Sequence, residues 1–295
     1  MLKRIYFKLK REIFNRIAKI LFKIRRKELI DFSKNGKSLV DENFDSDVEV
    51  IVSLTSYSKR IKTVHLTIES LAKQSNKANR IILWLDESEV TLESIPNELK
   101  KQIDRGLDVR FCKNIKSYKK LIPTLQTFPN ADIITVDDDV IYPSNMISKF
   151  IENRKKYPGV ILCNRAHLMK VTSNDTLFPY MDWEFCTHST LVSKYIFATG
   201  IGGVYYPSKS LHTDVTHDDV FMELCPTADD VWFKFMALRN NTETKRIGSI
   251  FPFELSFLSD DSVQDIALSN ENNSDVNKND IQIRKLMNMY TMDRI

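Results

Sequence analysis

The chain has 295 residues, 42% of them hydrophobic and 28% charged, enough to bury a sizeable core as one large α/β domain with or without appendages. Its net charge of +4 is uneven: residues 1–28 hold eleven Lys and Arg against Glu12 and Glu28, a local +9 that leaves −5 for the rest. A mildly acidic body with a basic arm speaks against nucleic-acid binding. Four widely spaced cysteines with no CxxC speak against a zinc site or a disulfide framework, and suit a reducing cytosol.

In the arm, Ile5, Leu9, Ile13, Ile17, Leu21 and Ile24 recur every three or four residues, with Lys and Arg opposite. That spacing predicts a cationic amphipathic helix over 1–30. No apolar run is long enough to span a bilayer, and no secretory signal is visible. Such a helix suits an anionic membrane surface, each basic residue contributing about 1 kcal/mol near the lipid. The alternative is a helix docked on the body or on a partner. Residues 31–47 are polar and turn-rich and read as a linker.

The body begins with a buried-strand pattern at 48–57. A helix is expected over 61–75, a strand over 80–86 ending in Asp86, a helix over 97–105 stopped by Gly106, and a short strand over 109–112. Pro123 places a helix start close by, leaving 117–120 as a loop. The stretch ADIITVDDDVIY, 131–142, reads as a strand that delivers Asp137, Asp138 and Asp139 to one sheet edge, followed by a helix over 144–156. Strand–helix alternation of this kind predicts a parallel doubly wound sheet, whose ligands sit outside the carboxyl ends of the strands. Tyr57, Asp86, Lys119 and the Asp triplet all fall there. Three adjacent like charges cost free energy unless a cation or hydrogen bonds offset them, so the triplet suggests a metal–diphosphate site, with a solvated acidic turn as the alternative.

The second half is less regular. A strand is expected over 159–167, running into Arg165 and His167; a glycine-bearing turn and strand over 199–207; and a helix from about 226, with Thr227 as N-cap and Asp229 and Asp230 in its first turn. Trp84 and Trp232 read as core. Residues 259–280 are polar and precede a short final helix.

Taken in order, VSLTSYSKRI, IILWLDE, KSYKKLIPTL, ITVDDDVIYP, CNRAH, TGIGGVYYP and PTADDVWF resemble the nucleotide-sugar glycosyltransferases of the GT-A fold. The likeness covers roughly 48–240 and is nearest to family-2-like bacterial enzymes that build surface polysaccharides. It implies an α/β, mostly parallel GT-A sheet flanked by helices, with the N-terminal amphipathic helix outside it, and a domain over 48–258 followed by a polar loop and C-terminal helix over 259–295.

The resemblance also implies roles. Thr55, Tyr57 and Arg60 would lie by the base and ribose, with Asp86 bonding uracil or ribose. Lys119 or Lys120 would approach the diphosphate, and Asp137 and Asp139 would hold Mn²⁺ or Mg²⁺, with Asp138 between them on the donor side. Gly202 and Gly203 would allow close backbone approach to the donor sugar or acceptor, and Asp230 or Asp229 would be the general base. No histidine follows His217 to supply the further metal ligand common in the family.

The expected function is transfer of a sugar, inverting, from a UDP-sugar to a glycan or lipid-linked acceptor in surface polysaccharide or lipopolysaccharide synthesis. The enzyme would sit peripherally on the cytoplasmic face of the membrane through residues 1–28, with no nucleic acid involved. A retaining transferase of the same fold, a nucleotidyltransferase, and a non-catalytic membrane-surface nucleotide-binding protein are the competing readings.

Overall fold

A computed structural model describes residues 2–44, 47–174, 176–249, 251–259 and 278–291, with the side chains of 2–11 outside that description. A long helix, α1 (Leu2–Ser33), precedes the first strand, β1 (Val50–Thr55). Then follow α2 (Val64–Ala72), β2 (Arg80–Asp86), α3 (Asn97–Ile103), β3 (Leu107–Cys112), α4 (Ile122–Thr127), β4 (Asp132–Thr135), β5 (Val140–Ile141) and α5 (Met146–Lys156). The second half holds β6 (Ile161–Cys163), β7 (Ala166–Leu168), β8 (Val192–Ser193), β9 (Ile196–Ala198), β10 (Val204–Tyr206), α6 (Asp218–Leu224), α7 (Asp229–Arg239), β11 (Thr244–Arg246), α8 (Phe253–Ser256) and β12 (Leu258–Ser259). Helix α9 (Lys278–Met289) is the last element. The polar stretch expected over 259–280 falls mostly outside the described residues.

One eight-stranded sheet runs in the order β3-β2-β1-β4-β10-β6-β11-β8. Strands β3, β2, β1, β4, β6 and β11 share one direction, while β10 and β8 are reversed. The expected mostly parallel sheet flanked by helices is therefore present. Its inner strands read as near-continuous apolar runs because both faces are covered. Val50, Val52, Leu54 and Ile134 pack in the larger cluster with Ile68 of α2 and Ile147 and Phe150 of α5. Ile133 and Val204 point to the second cluster, with Tyr118 and with Trp232 and Phe233 of α7. Trp84 and Trp232 are both core, their indole N–H groups donating to Thr124 Oγ1 and the Val215 carbonyl.

Several expectations change in detail. The predicted strand over 159–167 divides: β6 joins the main sheet, while β7 turns away to pair with β9. Helix α1 continues to Ser33, and in the segment after it Leu39 and Val40 are buried in the main core, where Val40 lies under the turn at Gly106. Gly106 has φ +102, which a residue with a side chain rarely adopts, and it follows α3 as anticipated.

Parallel pairing brings the ends of β1, β2 and β4 to one edge: Thr55 pairs with Trp84, and Ser53 with Thr135. The reversed strand β10 begins at that same edge, with Val204 opposite Thr135. The turn that feeds β10 thus joins the loops that leave the parallel strands. This crossing places the site.

Candidate active site at the carboxyl edge of the sheet

The three aspartates after β4 diverge. Asp138 is 5% exposed and turned inward: Oδ1 accepts from Arg60 Nη1 at 2.9 Å, Oδ2 from Ser56 Oγ at 2.6 Å, and its carbonyl from Thr67 Oγ1 at 3.0 Å. Asp139 Oδ2 lies 3.2 Å from the same Arg60 nitrogen. Burial, then the neighbouring Asp137, push the Asp139 carboxyl up to about 7 despite Arg60. Asp137 points the other way, with its side chain 27% exposed and Oδ1 3.6 Å from Lys120 Nζ. Its backbone N–H donates to the Tyr142 hydroxyl at 2.9 Å.

Arg60 lies against the triplet, where two carboxylates offset its buried charge. Asp138 has both carboxylate oxygens engaged, by Arg60 and by Ser56. The Asp137–Asp139 pair is also divided between two cations.

Lys120 links the triplet to the second acidic pair. Its Nζ lies 3.0 Å from Asp229 Oδ2, at the start of α7. Burial opposes the ammonium charge, but Asp229, Asp137 and Asp230 outweigh it and hold Lys120 well above its ordinary range. Asp230 Oδ2 accepts from the Gly200 N–H at 3.0 Å. Burial, then Asp229, raise the Asp230 carboxyl to about 7 against the pull of Lys120. A Cβ on Gly200 would stand 2.7 Å from Lys120 Nζ and 3.2 Å from Asp230 Oδ1, so a side chain here would displace the tip of the lysine.

The local fold explains the meeting. Residues Lys116–Lys120 form a tight 3-10 turn before α4, whose first turn carries Pro123. Tyr118, wholly buried, stacks on Phe221 with ring centroids 4.0 Å apart and donates to the Cys225 carbonyl at 2.6 Å. That bond fixes the lysine turn to the segment entering α7. The expected Thr227 cap is not made: Thr227 bonds Gln282 of α9 instead, and Ala228 occupies the cap position.

At the end of β2, Asp86 Oδ1 accepts from the Ser88 N–H and hydroxyl at 2.9 and 2.6 Å. Burial would raise this carboxyl, but Ser88 and Lys119 together hold it below the ordinary range. Its Oδ2 lies 3.6 Å from Lys119 Nζ and is buried, with no hydrogen-bond donor among the described residues. Thr55 spends its hydroxyl on the Trp84 carbonyl, and the Arg60 guanidinium lies 5.6 Å from the centre of the Tyr57 ring.

Gly202 and Gly203 are needed, but inside the fold. Both have φ near +90, and a Cβ on Gly202 would stand 2.7 Å from the Phe253 ring. On Gly203 it would meet Met146 Sδ at 3.4 Å and the Thr135 carbonyl at 3.5 Å. Gly200 is the glycine that borders Lys120 and Asp230, and sequence reasoning passed over it in favour of the pair beside it. Ser56, which holds Asp138, was missed too, although it lies within the LTSY segment. His167 is neutral and structural: its Nδ1 accepts from the Cys186 N–H at 3.0 Å, and burial and Arg165 lower it to about 4.

Among the described residues no three His, Cys, Asp or Glu converge on a metal position. Mg²⁺ and Mn²⁺ nevertheless need only one or two protein carboxylates when diphosphate and water complete the shell. Asp137 faces the open edge, and Asp139 carries charge that Arg60 offsets in part. A hard divalent ion would be held here by Asp137, with diphosphate and water completing its shell, while Asp139 is paired with Arg60.

No family model and no curated protein matches the chain. Among solved structures, S. aureus TarS 1–349 is similar over 82% of this chain and 71% of its own, at 15% identity and a TM-score of 0.47. Its complex with UDP aligns over 68% of this chain, at 15% identity and a TM-score of 0.43, and the match spans 59% of that chain's length. The mannosyltransferase PcManGT from Pyrobaculum calidifontis, in complex with GDP-Man and Mn²⁺, is similar over 80% of this chain and 67% of its own, at 10% identity and a TM-score of 0.43. A CMP:2-keto-3-deoxy-manno-octonic acid synthetase complexed with CTP aligns over 68% of this chain and 89% of its own, at 10% identity and a TM-score of 0.39. At these scores they decide no chemistry, which rests on the residues themselves.

Proposed function

We propose that the chain is a GT-A glycosyltransferase that moves a sugar from a nucleoside diphosphate, UDP in our reading, to an acceptor hydroxyl with inversion. One observation carries this: Lys120 joins Asp137, at the end of a central strand, to Asp229 and Asp230 at the start of α7. This arrangement sets a cation that can offset a leaving diphosphate beside a carboxylate that can take the acceptor's proton.

The acceptor oxygen attacks the anomeric carbon as the bond from that carbon to the β-phosphate oxygen breaks, and the nucleoside diphosphate leaves with the electron pair. Lys120, and Lys119 beside Asp86, offset the charge that develops on it. A bound Mn²⁺ or Mg²⁺ would supply further Lewis-acid stabilisation of the diphosphate. The acceptor's proton passes to Asp230, whose Oδ2 is fixed by Gly200 and whose Oδ1 is the available base. The unsatisfied Asp86 Oδ2 suits a uracil N–H or a ribose hydroxyl, with Tyr57 close to the same loop.

The acceptor in this reading is a glycan or lipid-linked precursor of a surface polysaccharide. The protein works peripherally at the cytoplasmic face of the membrane.

The test is a panel of nucleotide sugars, with and without Mn²⁺, on the full chain. One UDP-sugar should raise the thermal midpoint in a metal-dependent way, and acceptor should then release free UDP. Asp230→Asn should keep the donor shift and lose the release. Release of sugar 1-phosphate in place of UDP would mean that the uridylyl group is transferred, making the protein a nucleotidyltransferase, and would sink this reading.

A further inference from the structure

Helix α1 has two apolar faces, not one. Leu29 is buried with Ile141 and Leu258, and Ala18, Leu21 and Phe22 pack against that group. Phe22 also lines a small void together with Asp138 and Asp139. Lys73 of the turn after α2 holds the same end of the helix, 3.7 Å from Glu28 and over the Phe32 ring. The expected single stripe is therefore divided: Leu21 packs inward, while Ile13, Ile17, Ile20 and Ile24 stay 39–60% exposed on the neighbouring sector of the helix. Their spacing of four, three and four residues draws one continuous line along the helix.

We infer that this outer line is a docking face for an anionic lipid bilayer. Arg16, Lys23 and Lys27 lie exposed along its margin, with Lys19 and Arg26 further round, and Glu12 is the acidic side chain among the exposed positions nearby. A four-three spacing of isoleucines also suits pairing with a second copy of the helix. Like-charged margins meet in such a pair and repel, whereas anionic headgroups complement them. Charge thus selects lipid over a second copy. Among the described residues no helix is long and apolar enough to cross a membrane, so the helix would lie in the interface plane.

The inner face sets the geometry of the docked protein. Because Phe22 and Leu29 pack on the strands just after the Asp triplet, α1 lying on lipid holds the carboxyl edge of the sheet close to the bilayer surface. The inference sharpens the membrane placement proposed above, yet vesicle binding is read without turnover, so either reading can fail alone.

Deleting α1 is a poor test, because it would uncover Ile141 and Leu258. Instead the full chain carrying Ile13→Gln, Ile17→Gln, Ile20→Gln and Ile24→Gln is compared with the unaltered chain by co-sedimentation with vesicles. The vesicles are phosphatidylcholine alone, or phosphatidylcholine with about a third phosphatidylglycerol. The unaltered chain should bind the anionic vesicles at least about tenfold more tightly than the neutral ones, and less tightly in high salt. The variant should lose about tenfold or more of that binding at an unchanged thermal midpoint. Equal binding by variant and unaltered chain, or no preference for anionic vesicles, would overturn the inference. So would a dimer in solution that the variant converts to monomer, since the stripe would then belong to a second copy.

Discussion

Lys120 and Asp229 form a 3.0 Å ion pair between the turn before α4 and the first residue of α7, two segments far apart in sequence. The pair is almost wholly buried, and a second carboxylate, Asp137, stands 3.6 Å from the same nitrogen. Replacing Lys120 by Met should lower kcat about 10²- to 10³-fold, the cost of removing one preorganised cation from a developing anion. It also leaves Asp229 without its cation, so stability should fall, by up to roughly 3–5 kcal/mol. Steady-state kinetics with a urea titration measures both. Turnover within threefold of the unaltered enzyme would remove Lys120 from the reaction.

Asp230 gives the pH dependence. Its carboxyl is raised to about 7, and a base must be ionised to accept a proton. The rate should therefore rise about tenfold per pH unit below 7 and level off above it. In Asp230→Asn this limb should vanish along with about 10²- to 10⁴-fold of the rate. A pH–rate profile on the identified donor measures the limb.

Gly200→Ala puts a methyl group 2.7 Å from Lys120 Nζ. The lysine must swing, and the Asp230 carboxylate with it. We expect at least a tenfold loss in kcat, as misplacement of a catalytic group by about 1 Å can cost 10²-fold. The thermal midpoint should move little, because the far end of a flexible side chain can yield.

Arg60 is a stability residue in this fold. Arg60→Ala strands Asp138 and Asp139 as buried carboxylates, at a cost of roughly 3–5 kcal/mol. Arg60→Lys keeps the charge, but its shorter side chain must bring an ammonium to where Arg60 Nη1 now meets both carboxylates, and it should fall between. Equilibrium unfolding of the three proteins orders them.

Lys234 sets a separate pH effect. It donates to the Ile196 carbonyl at 2.9 Å, and burial lowers it from 10.5 to about 7. Between those values the unfolded chain holds a proton that the folded chain lacks, so this lysine makes stability rise with pH across that window. Below about 7 both states are protonated and the contribution is flat. Lys234→Met should remove the rise, at the cost of about 1–3 kcal/mol for the carbonyl left unpaired. Urea midpoints at neutral and alkaline pH show whether the slope is lost.

The parallel half of the sheet was legible because β1, β2 and β4 lie in nearly unbroken apolar runs that end in a carboxylate or hydroxyl, as at Asp86 and Asp137. Position along the chain then placed Lys119 and Lys120 with them. What stayed hidden were partnerships across the chain. Arg60 reads as one more basic residue in a loop until Asp138 is seen turned inward onto it. Thr227 carries a sound capping signal, yet Gln282 wins it, and local pattern cannot report a helix returning from the far terminus. The α1 periodicity was visible, but a repeat of three and four residues does not say that Leu21 packs on the body while Ile17 and Ile24, its neighbours on the helix surface, stay exposed. Gly200 lacked the positive φ of its neighbours, and only the crowding around it marks it.

The stacked and hydrogen-bonded Tyr118 has a mechanical consequence. It rivets the lysine turn to the approach of α7, so the cation and the acid move as one rigid jaw. The aromatic-rich stretch between β7 and β8 is held separately, by Trp183 against Phe197 of β9, and stands open to solvent at Phe185 and Leu191. Acceptor choice would then be a property of that stretch, separable from the chemistry that the rigid jaw performs.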